Sequence, residues 1–297
     1  MKTTRIDATT LFLLTLPPLA WAGNAIVGRL AAGTVPPITL NLVRWIIAAL
    51  LLAPYAWRGV MTHRAALRQH LAMLATMGLL SIASYNAFQY LALTTSTPIN
   101  VTLIGASTPL FLLLIGACFF HERFRPWQVA GALLCLLGVS FVLMRGEPER
   151  LAHLEFVPGD LYMIAATITW SFYTWLLRKH RPDLPLPVLL FAQIVAGVIA
   201  SIPVAAWELG RLTEPLQWNS KVAWILLYVG TVPSLLAYFV WDRAISRAGA
   251  QLPVFFITLT PLFAAVLSTV LLGESPHWYH GMGLVCIGAG IWLAQRR

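Results

Sequence analysis

The sequence predicts an all-α integral membrane protein of ten transmembrane helices, arranged as two inverted five-helix repeats, and three observations predict it. The first is composition: 59% of the 297 residues are hydrophobic and only 10% are charged, against about 25% charged in ordinary globular chains. The second is spacing. Apolar runs divide at charge clusters and Pro/Gly breaks into ten segments, each close to the roughly 20 helical residues that cross a hydrocarbon core of about 30 Å. The third is a repeat: the tetrapeptide TPLF at 108–111 recurs at 260–263, and its surroundings recur with it.

The segments are 10–29, 36–57, 69–93, 98–119, 126–144, 159–178, 185–207, 221–241, 252–272 and 278–295. The first follows Lys2 and Arg5 and imitates a secretory signal, with an A-x-A pattern at Ala20 and Ala22. Its apolar character continues through Ala25, Ile26 and Val27, so it is expected to stay as a span. The second opens at Pro36–Pro37, the third ends at TTSTP, the fourth holds Pro109 and stops before Glu122, and the fifth carries Gly131 and Gly138. The sixth follows the longest polar stretch, 145–160, which is too short for a soluble domain. The seventh to tenth repeat the second to fifth, Pro261 and Glu274 standing where Pro109 and Glu122 stood. The expected organisation is a first repeat at 1–145, a linker at 146–158 and a second repeat at 159–297.

Register supports the duplication. An offset of 152 lays Thr260–Phe263 on the first TPLF, Glu274 on Glu122, Gly283 on Gly131 and Gly290 on Gly138. Upstream an offset of 149 lays Trp170 on Trp21 and Gln193 on Arg44; the loop around 212–217 absorbs the difference. Five spans per repeat place the repeats in the bilayer in opposite senses. Charge agrees: with the N-terminus inside, fourteen Lys/Arg fall on the inner side and five on the outer, Arg44 lying within a span. Cytoplasmic loops collect such residues, so both termini are expected in the cytoplasm. HERFR carries two arginines and its counterpart GESPH none, as alternating orientation requires.

A formal charge of +9 would suit nucleic acid only if the basic residues gathered on one face with aromatics; here they occupy loops between spans, and no nucleic-acid partner is expected. Cys118, Cys135 and Cys286 lie in apolar segments without CxxC spacing and are read as packing residues. His277 and His280 have no third ligand beside them, and no HExxH, GxSxG or paired acids occur in a span. Neither enzyme, metal nor cofactor is therefore expected.

Two five-span halves, each with an internal proline, a glutamate at the end of that span and a glycine-spaced final helix (TPLFLLLIGACFFHERFRPWQVAGALLCLLGVSFVL and TPLFAAVLSTVLLGESPHWYHGMGLVCIGAGIWLA), resemble the EamA domains of the drug/metabolite transporter superfamily. Within it the chain is similar to bacterial amino-acid exporters, the YddG-type aromatic amino acid exporters among them. The resemblance implies a secondary transporter of the bacterial inner membrane, moving a small molecule such as an amino acid by alternating access, embedded in lipid and needing no obligate protein partner. A nucleotide-sugar or organophosphate exchanger is the rival within the superfamily, and a membrane receptor or assembly factor the rival outside it.

Polar groups within a span are costly and are functional candidates by default. Arg44 is the one formal charge well inside a span, eight residues after Pro36 and so about 12 Å along the helix. It suits a substrate carboxylate, or else snorkels to the headgroups or caps carbonyls. Gln193 is its repeat mate. Among the amides Asn24 and Gln89 are expected to face a cavity. Trp21 and Trp170 fall near the middle of their spans, against the interfacial habit of tryptophan, and Tyr85, Tyr173 and Tyr238 add rings with polar tips. The expected substrate site is thus Trp21, Asn24, Arg44, Tyr85, Gln89, Trp170, Tyr173, Gln193 and Tyr238. Pro109 and Pro261 are expected to bend the fourth and ninth spans, since a proline frees a backbone carbonyl. All eleven carboxylates lie near span ends or in loops, which points to uncoupled movement unless the fold draws Asp160 or Asp242 inward.

Overall fold

A computed structural model describes residues 8–123, 125–147, 149, 157–212, 216, 218–248, 256–257 and 259–294, and all regular elements among them are helical. Helix α1 (Ala8–Ala31) is followed by α2 (Pro37–Thr62), whose first residue is a proline, placed where its missing N–H has no intrahelical partner. The next two N–H groups of α2, from Ile38 and Thr39, donate to the carboxylate of Glu208 at 3.0 and 2.7 Å. A short exposed α3 (Arg64–Gln69) leads into α4 (Leu71–Thr95), which contains a π-helical segment, Leu79–Tyr85. Then come α5 (Pro98–Ala106), α6 (Thr108–Phe120), α7 (Pro126–Met144), α8 (Pro158–His180) and α9 (Leu186–Leu209). Helix α10 spans 220–248 with a second π segment at Val232–Leu236, and α11 (Leu259–Leu272) and α12 (Trp278–Ala294) complete the set.

Six helices are long and apolar enough to cross a membrane, namely α1, α2, α4, α7, α9 and the Ser220–Trp241 part of α10. The α5–α6 pair makes a seventh, bent by 42°. Helix occupies most of the described residues of each of the ten apolar segments, with breaks inside them at His70 and Ser107. Trp57, Trp127, Trp207, Trp224 and Trp278 stand exposed at helix ends, where amphipathic rings meet the headgroup level. The chain is a multi-pass membrane protein.

Two boundaries differ from the sequence reading for one physical reason. Helix α2 continues to Thr62, and α10 continues to Ala248 through the stretch DRAISRA, which reads as a loop. Hydropathy reports where hydrocarbon ends, whereas helical hydrogen bonds are local and persist into water. The ninth segment begins in residues outside the described set.

Packing partly follows an exchange of halves. Replacing each of the ten segments by the one five later converts several pairings into one another: α1 packs on α10 and α11 as α8 packs on α4 and α5–α6, and α2 packs on α10 as α9 packs on α4. The pairs α2 with α9, α5 with α11 and α7 with α12 map onto themselves, whereas the contacts of α2 with α4 and of α7 with α5–α6 have no counterpart of similar extent among the described residues. Glycine explains the closest of these. A Cβ added at Gly138 would lie 2.8 Å from the carbonyl oxygen of Gly283, and Gly131 meets Gly290 in the same way. Because 131 faces 290 while 138 faces 283, α7 and α12 run antiparallel; small residues let their backbones touch.

Candidate functional site

Arg44 is the centre of the site. It is 2% exposed, so it does not snorkel, and it is the one Lys or Arg buried to this degree among the described residues. Its partners are neutral side chains rather than backbone carbonyls. Nε donates to Ser234 Oγ at 2.5 Å, and Nη1 to Asn86 Oδ1 at 2.8 Å, Tyr90 Oη at 3.0 Å and Asn24 Oδ1 at 3.4 Å. Nη2 makes no hydrogen bond among the described residues, and no carboxylate there pairs with the guanidinium. The rings of Trp45 and Tyr90 lie 4.9 and 5.8 Å from its Cζ, an aromatic shell that a weakly hydrated cation favours.

The acceptors are themselves fixed. Tyr90 Oη donates to Asn24 Oδ1 at 2.7 Å, Asn24 Nδ2 donates to Gln89 Oε1 at 3.1 Å, and Asn86 Nδ2 donates to Ser81 O at 3.1 Å. Ser234 Oγ donates five residues back to Val229 O at 2.6 Å. Both π segments therefore serve the site: Ser234 lies inside one, and Tyr85 and Asn86 stand where the other ends. A π turn displaces ladder hydrogen bonds and is common at functional sites. In α4 the carbonyls of Ile82 and Ala83 accept from Asn41 Nδ2 at 3.0 and 3.3 Å, leaving Asn41 Oδ1 a buried acceptor without a partner.

Two aromatic clusters flank the arginine. Trp21 meets Tyr238 edge-on at 6.3 Å and Trp241 at 5.5 Å. Trp170 lies 4.9 Å from Tyr85 and 5.0 Å from Tyr173. Tyr173 Oη donates to Gln193 Oε1 at 3.3 Å, and Gln193 Nε2 approaches Met77 Sδ at 3.5 Å. Direct contacts join the nine expected site residues into three sets, Asn24 with Arg44 and Gln89, Trp21 with Tyr238, and Tyr85 with Trp170, Tyr173 and Gln193, and Arg44 acts on Tyr85 and Tyr238 electrostatically. Asn86, Tyr90, Ser234, Asn41 and Trp241 belong with them and were not among the nine. Asn41, Asn86 and Tyr90 are visible in the sequence as polar residues within spans; nothing in the sequence aims Ser234 at Arg44, because the π turn sets its direction.

Asn24, Arg44, Gln89 and Gln193 are buried, whereas the rings of Trp21, Tyr85, Trp170, Tyr173 and Tyr238 are half-buried. Two cavities lie outside this group: about 200 Å³ between α6, α7, α8 and α12, lined by Pro109, Trp175 and Arg178 among others, and about 410 Å³ lined by Thr9, Leu13, Arg243 and Arg247. The second opens between the starting turns of α1 and the far end of α10, two turns from the Trp21–Trp241 contact. The fourth segment breaks at Ser107, two residues before Pro109, and the Gly105 carbonyl that the proline leaves free accepts from Thr108 Oγ1 at 2.6 Å. Pro261 occupies the first turn of α11, beside residues outside the described set.

At the helix ends, Glu122 pairs with Lys179, and Glu274 pairs with Arg29 at 3.4 Å. The hydrogen bond from the Lys179 ammonium holds the Glu122 carboxyl below the usual carboxylate range. Among the described residues no group of three His, Cys, Asp or Glu is placed to hold a metal ion.

Comparison with known proteins bears on this geometry. The EamA-like transporter family matches residues 8–144 and again 157–295. An uncharacterised transporter of Archaeoglobus fulgidus is 28% identical over 98% of this chain and 99% of its own. The aromatic amino acid exporter YddG of Ancylobacter novellus is 29% identical over 86% and 84%, and a probable amino-acid metabolite efflux pump of Salmonella typhimurium is 23% identical over 95% and 93%. A solved crystal structure, 24% identical, superposes with a TM-score of 0.62 over 97% of this chain and 96% of its own, a likeness of fold alone.

Proposed function

We propose, from the premise that this chain belongs to the EamA-like transporter family, that it exports amino acids with aromatic or other apolar side chains across the bacterial inner membrane. The observation that carries the reading is Arg44: a buried cation held by neutral acceptors, with neither a carboxylate beside it nor a hydrogen bond to its Nη2 among the described residues. Such a charge is costly in the membrane without an anion, and a substrate carboxylate supplies one through charge-assisted hydrogen bonds. Asn41 lies one turn before Arg44 on the same helix, and its unpartnered Oδ1 suits the ammonium of a zwitterion. The rings of Trp21, Tyr238, Trp170 and Tyr85 suit an apolar body.

The architecture that goes with this reading is two inverted repeats, 1–145 and 159–297 joined by 146–158, giving ten spans with both termini in the cytoplasm. It is supported by the partial exchange of halves in the packing and by the antiparallel α7 and α12: an axis that carries one antiparallel helix onto the other is perpendicular to both and so lies in the membrane plane. Rocking one half against the other exposes the site to each side in turn. The cavity lined by Arg243 and Arg247 then forms a basic mouth on the cytoplasmic side, which draws anionic groups inward. An organophosphate exchanger needs several cations at the site to meet phosphate charge, and Arg44 stands alone among the described residues.

The test is efflux from liposomes loaded with labelled phenylalanine or tryptophan, with inorganic phosphate and a sugar phosphate as comparison loads. Saturable efflux of the amino acids alone is the expected result. Efflux of the phosphates without the amino acids would overturn the substrate assignment.

A further inference from the structure

The sequence leaves Asp160 at the edge of a span; the fold draws it inward. It is the one carboxylate buried completely among the described residues, and it forms no ion pair among them. Gly159 causes the burial. Its backbone N–H donates to Thr95 Oγ1 at 2.9 Å, and a Cβ added there would lie 2.8 Å from the Ser96 backbone nitrogen, so the first turn of α8 sits hard against the end of α4. Ser96 Oγ hydrogen-bonds Asp160 Oδ1, while Oδ2 has no partner.

Two further side chains act on this carboxyl, Asn100 and Arg145. Asn100, from α5, stands beside it, and Asn100 Oδ1 accepts from His280 Nε2 at 3.0 Å. The His280 Nδ1 accepts the backbone N–H of His277 at 2.8 Å, which puts the ring proton on Nε2 and turns the Asn100 amide NH2 away from His280. Arg145, at the end of α7, acts on both Asp160 and His280 through space, with its Nε unpartnered. At the same end Arg29 pairs with Glu274 and donates to Leu93 O at 2.9 Å and Thr94 O at 3.2 Å, next to Ser96. Glu274 thus has its cation, whereas Asp160 has no ion pair among the described residues.

Scaffold alone does not account for the acid. At the repeat offset of 149 its mate is Leu11, an exposed apolar residue, so the duplicated framework forms without it. We propose that Asp160 is a proton-binding site that couples substrate movement to a proton gradient, neutral while α8 is packed on α4 and ionised when that end opens to water. A metal cation fits poorly there, facing Arg145 and the positive start of α8, whereas a proton only neutralises charge. The coupling route is the pair of helices themselves. Helix α8 carries Trp170 and Tyr173, about 15 to 20 Å along from Asp160, and α4 carries Asn86, Gln89 and Tyr90; parting the two moves both walls of the site.

This inference rests on the transport reading above, and one set of liposomes separates the two. Exchange of labelled for unlabelled phenylalanine at equal pH tests transport; net movement under an imposed pH gradient, with a pH dye reporting proton flow, tests coupling. The expected result is that wild type exchanges, that a gradient speeds its net flux several-fold with accompanying proton movement, and that Asp160→Asn exchanges at near the wild-type rate without responding to the gradient. Exchange without any gradient response in wild type, a requirement for sodium instead, or an unaltered gradient response in Asp160→Asn would each overturn the proposal while leaving transport standing. No exchange by wild type would overturn both. Should Asp160→Asn not assemble, Ser96→Ala, which removes the Oδ1 partner, is expected to displace the pH at which coupled flux is half-maximal; an unmoved profile would overturn the proposal equally.

Discussion

The two poles of the candidate site are built on one plan and finished differently. In one, Asn24 of α1 meets Arg44 of α2, Trp21 meets Tyr238, and the backbone of Arg44 is approached by Gly230 of α10. In the other, Tyr173 of α8 meets Gln193 of α9, Trp170 meets Tyr85, and the backbone of Gln193 is approached by Gly78 of α4. Asn24 and Tyr173, Arg44 and Gln193, and Trp21 and Trp170 are each 149 apart, and Gly78 and Gly230 are 152 apart. Duplication kept the tryptophans and the glycine contacts while the polar heads diverged into a cation at one pole and an amide at the other. Under the proposed function, like walls and unlike heads would orient the ligand, carboxylate toward Arg44 and apolar body between the rings.

The largest expected effect comes from making the heads alike. Arg44→Gln removes the charge while keeping a hydrogen-bonding amide, and a hydrogen bond to a charged group contributes about 1.5 to 3 kcal/mol. Efflux of phenylalanine at low concentration should fall by about ten- to hundred-fold, with normal amounts of folded protein in the membrane. Gln193→Ala, its counterpart, should cost only a few-fold. Equal losses from the two variants would mean that charge does not distinguish the poles.

The tryptophans sharpen the same contrast. An aromatic pair contributes about 0.5 to 1.5 kcal/mol beyond its buried area, so Trp170→Ala should raise the half-saturating phenylalanine concentration by about three- to ten-fold. Its effect on alanine, which has no ring to lose contact, should be smaller. Trp21→Ala should also change the maximal rate, because Trp21 contacts Trp241 on the side of the basic mouth. Identical kinetics for the two variants with both substrates would argue that the rings are packing and not walls.

What the sequence made legible was depth and residue type. Arg44, the mid-span tryptophans and the glycine spacing stand out because charge, ring and small size each have a cost or a use in lipid that depends on position along a helix. Direction was not legible. The π turns at Leu79–Tyr85 and Val232–Leu236 redirect residues within them and just after them, which is how Ser234 and Asn86 reach Arg44, and no simple periodicity announces a π turn. Pro233 in the second is the nearest thing to a signal. Burial of Asp160 was hidden for another reason: it depends on Gly159 meeting Ser96, sixty-three residues earlier in the chain.

The end-pairs give the last and smallest contrast. Glu274 pairs with an Arg29 that is also anchored on two carbonyls, whereas Glu122 pairs with a Lys179 that has no second partner among the described residues. Arginine holds such geometry better than lysine, whose charge is compact and whose stem is flexible, so Glu274→Gln should lower thermal stability more than Glu122→Gln. The pH dependence has a fixed sign. Because the folded-state pKa of Glu122 is depressed by Lys179, its contribution is present in full above the unfolded value of about 4.3 and is lost as pH falls through the folded value. The difference in melting temperature between wild type and Glu122→Gln should therefore be constant from about pH 6 to 8 and shrink below about pH 4. A difference that grew on acidification would mean that Glu122 is protonated in the folded protein and that its bond to Lys179 is not an ion pair.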